Sequence, residues 1–65
     1  MGEAQDALRT LRHDLANPLA AILAEVQLLL LDEASLPPDT ARSLREIEAL
    51  ARRMRDILAQ SRERA

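Results

Sequence analysis

Apolar residues recur along the first half of the chain with a helical period. Leu8, Leu11, Leu15, Leu19, Ile22, Val26 and Leu29 follow one another at spacings of three and four, and at about 100° per residue they fall on one stripe roughly 80° wide. The pattern predicts one long amphipathic helix from about residue 4 to about residue 33, with Glu3 and Asp6 suited to the positive end of its macrodipole. Towards its far end the polar face disappears. Leu28, Leu29, Leu30 and Leu31 point in nearly every direction, as a turn enclosed within a bundle would. The acidic pair Asp32 and Glu33 beside them argues against an anionic membrane surface as their cover.

A breaker follows, Ala34-Ser35-Leu36-Pro37-Pro38, giving a loop at about 34–37. Residues before proline are pushed out of helical dihedrals, so Leu36 and Pro37 should be extended. Pro38 suits the first position of a second helix, about 38–62, with Asp39 favourable in its first turn. There Ile47, Leu50, Met54 and Ile57 form a heptad seam, widened by Leu44, Ala51 and Leu58. That face is wider than one partner helix needs. A connection this short makes the two helices antiparallel, and two copies of such a hairpin supply four helices. The expected fold is all-α: one domain over residues 1–65, an antiparallel two-helix hairpin dimerising into a four-helix bundle. Arg42, Arg45, Arg52, Arg53, Asp56, Glu63 and Arg64 would cover its outside as a solvated surface.

Composition supports self-association. A chain of 65 residues buries too little to be comfortable alone. It is 48% hydrophobic yet has no Phe, Tyr or Trp, which removes base stacking, and its net charge of −2 does not favour a nucleic-acid partner. With no cysteine, disulfides and thiol chemistry are excluded. One histidine among scattered carboxylates is not a metal-ligand cluster. The apolar segment from Leu19 to Leu31 is interrupted by Glu25 and Gln27 and is too short to span a bilayer, and Met1 to Asp6 does not read as a signal peptide. The expectation is a domain with no direct membrane contact.

The single histidine sits in the stretch His13-Asp14-Leu15-Ala16-Asn17-Pro18-Leu19. On the wheel His13 lies about 160° from the centre of the apolar stripe, so it points at solvent rather than into a core. A casual surface histidine is the plain alternative. Its neighbours weaken it: Arg9 and Asn17 share its face at i−4 and i+4, and Ala16 and Ala20 add almost no bulk beside it. Pro18 has no amide hydrogen and its ring clashes with the carbonyl of Asp14, which should bend the helix. Pro18 could instead start a helix with Asn17 as N-cap, leaving residues 4–16 as a separate short helix. The apolar stripe runs through without a change of phase, which favours one kinked helix.

These residues, followed by Ala20-Ala21-Ile22-Leu23, resemble the H-box of the dimerisation and histidine-phosphotransfer (DHp, HisKA-type) domain of bacterial sensor histidine kinases: His, then Glu or Asp, two variable residues, Asn or Thr, then Pro-Leu. The resemblance implies that His13 is the phosphoacceptor for the γ-phosphate of ATP and passes it to a response-regulator aspartate. Asp14 would be the acid/base beside it, Asn17 would position a partner or a water, and Pro18 would be the kink. It implies a homodimer that meets an ATP-binding kinase domain and a response-regulator receiver domain. This fragment would belong to a protein-histidine kinase in the cytoplasm, or to the cytoplasmic part of a membrane-bound sensor. Arg12 stands where many members carry a small Ser, and Ala16 where many carry a basic residue.

Phosphate-cradling loops are rich in glycine, and this chain has only Gly2. No cofactor is therefore expected in this fragment, and ATP with Mg²⁺ would enter through a separate catalytic domain. Two alternatives stay open: a non-catalytic helical dimerisation scaffold, and a stand-alone histidine phosphotransfer protein. A hydrolase is remote, since Thr10 at i−3 is the only hydroxyl near His13.

Overall fold

The computed structural model describes residues 2–64, and side chains as far as Ser61; Glu63 and Arg64, expected on the outer face, lie outside the described side chains. Two helices make the fold: α1 (Gly2–Leu30) and α2 (Pro38–Arg64), joined by a single 3₁₀ turn at Glu33–Ser35. They form an antiparallel hairpin with extents of 52 × 16 × 13 Å. No strand occurs among the described residues.

α1 runs through Pro18 as one helix, which sets aside a separate short helix over 4–16. It begins two residues earlier than residue 4 and stops at Leu30 rather than near residue 33. The reason is local. The amide of Leu31 donates to both Gln27 O (3.1 Å) and Leu28 O (3.3 Å), so the last turn tightens. Asp32 to Ser35 then close on themselves: Ser35 Oγ reaches Asp32 O and Asp32 Oδ2, each at 2.8 Å. The connection thus spans residues 31–37 rather than 34–37, and Asp32 and Glu33 belong to it, not to α1. Arg45 fastens it to α2 by a two-pronged contact with Glu33, Nε donating to Oε1 at 3.1 Å and Nη2 meeting Oε2. Leu36 is extended, at φ −89° and ψ 146°. Pro38 opens α2, and Ala41 N donates to Pro37 O at 3.0 Å in its first turn. α2 reaches Arg64, two residues past the expected end.

Each apolar stripe is divided between two surfaces. Leu19, Leu23 and Val26 of α1 are buried, as are Ala41 and Ala51 of α2, and Leu58 packs against the cluster of Leu19, Leu23 and Ala51. Ala51 brings the helix axes together where two leucines meet it. The remainder of each stripe faces outward: Leu8, Leu11, Leu15, Ile22 and Leu29 on α1, and Ile47, Leu50, Met54 and Ile57 on α2 are all exposed. On α2 the whole heptad seam points away from α1, and the positions that seemed only to widen it make the hairpin contact. Of the four consecutive leucines only Leu30 is half-buried; Leu28, Leu29 and Leu31 are exposed in the single hairpin.

Candidate functional site

His13 sits on the half of α1 that precedes Leu19, where the first buried side chain occurs. No side chain of this segment before Leu19 is fully buried, and Arg12 is half-buried. The His13 side chain is 74% exposed and that of Asp14 is 69% exposed. Nδ1 of His13 lies 3.9 Å from Oδ1 of Asp14, too far for a direct hydrogen bond but close enough for one water to bridge them. Nε2 lies across the ring from the carboxylate. An exposed imidazole is a nucleophile with an open approach.

The structure brings the other sequence-derived residues to the same place. Asn17 is exposed one turn on from His13, and Pro18 follows it. Because Pro18 has no amide hydrogen, the Asp14 carbonyl lacks its usual i+4 donor. Arg9, one turn before His13, pairs with Asp6 at 3.6 Å, both largely exposed. Ala16 and Ala20 are exposed and leave one side of the histidine without bulk. No side-chain hydrogen bond joins Thr10 to His13 among the described residues.

Next to this cluster, on the flank away from the outward apolar stripes, α1 and α2 enclose a shallow groove of about 300 Å³. Arg12, Ala16, Ala20 and Ala24 line it from α1, and Arg55 and Ala59 from α2, over a floor of Leu19, Leu23 and Leu58. In the sequence Arg12 stands out only as the residue before the histidine, and only the register of α2 brings Arg55 to the same groove. The signal was present in the heptad count, since both occupy positions that face the other helix.

No group of three or more His, Cys, Asp or Glu residues able to hold a metal occurs among the described residues. No helix among them is long and apolar enough to cross a membrane. No curated protein and no solved structure matches the chain. The His Kinase A (phospho-acceptor) domain matches it from residue 3 to residue 65, a span that includes the histidine cluster and both helices. The chain therefore belongs to the HisKA family, the phosphoacceptor and dimerisation domain of histidine kinases.

Proposed function

We propose that this chain is the phosphoacceptor and dimerisation module of a two-component sensor histidine kinase, with His13 as the residue that takes the γ-phosphoryl group of ATP and hands it to a receiver aspartate. The observation that carries the reading is an exposed imidazole whose Nδ1 faces the Asp14 carboxylate while Nε2 is left open. In the first step Nε2 attacks phosphorus and the bond to the departing ADP oxygen breaks. The ring is then cationic, which makes its Nδ1 proton acidic, and Asp14 accepts it directly or through one water. In the second step the receiver carboxylate attacks the same phosphorus and Nε2 leaves. Phosphoryl transfer is mainly positioning and charge stabilisation, and α1 supplies the positioning. ATP and Mg²⁺ would be held by a separate catalytic domain.

Dimerisation is supported by the exposed stripes. A compact monomer of this mass would expose about 4,100 Å², whereas the hairpin exposes 5330 Å². The excess is on the scale of one side of a standard interface, about 800 Å² per partner. A second copy of the hairpin, laid against Leu11, Ile22, Met54 and their neighbours, completes a four-helix bundle and leaves His13 and the groove on its outside. Asn17, one turn below His13, can reach the partner domain or a water attacking phosphohistidine.

Phosphorus–proton correlation on the chain phosphorylated by a histidine-kinase catalytic domain tests the mechanism. Phosphate coupled to the ring protons as an Nε2 adduct is the expected result. An Nδ1 adduct, or phosphate elsewhere on the chain, would overturn the role given to Asp14.

A further inference from the structure

The seam between α1 and α2 carries two arginines that the phosphoacceptor cluster does not use. On α1, Arg12 lies seven residues before Leu19 and fourteen before Val26, both of which are buried. On α2, Arg55 lies seven residues after the half-buried Glu48 and fourteen after the buried Ala41. Arg12 is itself half-buried, and both arginines line the groove described above, with Ala16 between them and His13. Guanidinium groups stay charged at any ordinary pH. Two like charges thus line one groove, on a seam whose buried positions are Leu, Val and Ala.

Their neutralisation is incomplete. Glu48, the acid on the same seam, is engaged by Arg52 at 3.3 Å. Arg55 has Asp56 at 3.7 Å, in a pair more than half exposed on both sides and so weak. No carboxylate lies within ion-pair distance of Arg12 among the described residues. A leucine at either position would add to the apolar seam, whereas each arginine places a charge there. What fits such a pair is a compact dianion, and the groove wall leads to where one would form. Ala16 and Ala20, which line the groove, are three and seven residues from His13 and leave no side chain in the way.

We propose that Arg12 and Arg55 form an anion site for the phosphoryl group carried on His13, and that filling it closes the open end of the hairpin. The inference rests on the phosphoacceptor reading and adds to it a consequence of phosphorylation. Phosphohistidine carries two negative charges on three acceptor oxygens, enough for both guanidinium groups at once. Before phosphorylation the arginines repel and the seam above Leu19 stays loose; afterwards they converge, and α1 and α2 are drawn together at the level of His13.

Phosphoramidate loads the histidine without a kinase: Nε2 attacks phosphorus, the P–N bond breaks, ammonia leaves with its protons, and the Nδ1 proton passes to Asp14 or water. Amide hydrogen exchange is then read over residues 8–16 and 55–61 of the full chain, alone and phosphorylated. Charge-assisted hydrogen bonds at a partly exposed site correspond to slowing by about threefold to tenfold. Phosphorylation should slow exchange by that amount in the parent but not in an Arg12→Gln/Arg55→Gln variant phosphorylated to the same extent. The unmodified variant should melt above the unmodified parent, since its repulsion is gone. Equal slowing in parent and variant, or none in the phosphorylated parent, would overturn the site. Equal slowing by excess inorganic phosphate in a His13→Ala chain would show a general anion site and overturn its assignment to phosphohistidine. A folded parent that takes no phosphoryl group on His13 would instead remove the phosphoacceptor reading, and this inference with it.

Discussion

Truncating one isoleucine on the outward stripe should separate the dimer surface from exposure alone. Ile22 is 50% exposed in the hairpin, on the α1 face turned away from α2. Full burial of such a side chain is worth about 1.5–3 kcal/mol, so covering its open half contributes about 1 kcal/mol. A two-fold dimer contains the contact twice, so Ile22→Ala should cost about 2 kcal/mol and raise the dimer dissociation constant about 30-fold. Leu31 is 82% exposed, more than any other large apolar residue among those described. It lies in the connection, beyond the end of the outward stripe of α1, however, so Leu31→Ala should leave the constant within about twofold of the parent, as surface substitutions usually do. Sedimentation equilibrium over a range of loading concentrations reads both. A parent that stays monomeric, or a Leu31→Ala chain that dissociates while Ile22→Ala does not, would refute the placement of the interface.

Three further outcomes follow from the packing. Ala51 is 4% exposed between Leu19 and Leu23, so Ala51→Leu should overpack the seam and cost about 1–3 kcal/mol, read as a lower thermal midpoint. Arg45→Ala breaks a pair that is exposed on the arginine side, so the midpoint should move by less than about 1 kcal/mol equivalent while amides at 31–36 exchange faster. Pro18→Ala restores a donor to the Asp14 carbonyl and should stabilise α1, by up to about 3 kcal/mol. If bending at Pro18 takes part in signalling, the same change should alter the balance between phosphorylation and dephosphorylation of His13; unchanged activities would remove the bend from the mechanism.

The histidine cluster was legible in the sequence because all its relations are local. His13, Asp14, Asn17 and Pro18 are fixed by one helix, and the wheel alone turns His13 away from the apolar stripe. The two helices were legible for the same reason, through periodicity and the Pro37-Pro38 breaker. What the stripe could not give was its division. A stripe roughly 80° wide shows which side is apolar but not where α2 sits against it. α2 sits at one margin, so Leu23, just outside the stripe, is buried, while Leu11, Leu15 and Ile22 within it are not. The arginine pair was hidden likewise, since Arg12 and Arg55 meet only once the register of α2 is known. The end of α1 is not legible in the sequence because the Leu28–Leu31 run carries no glycine or basic residue to mark a stop. A tightened last turn and the Asp32–Ser35 closure end the helix instead.

The most direct measurement is acid-labile phosphate on the intact chain and on its His13→Ala counterpart, each incubated with ATP, Mg²⁺ and a catalytic domain shown to bind ATP, with mass spectrometry to place the label. Phosphate on His13 of the parent and none on the variant is the result required of a phosphoacceptor. A folded, dimeric parent that takes no label, or a His13→Ala chain that takes as much, would contradict the assignment and leave the hairpin a dimerisation scaffold.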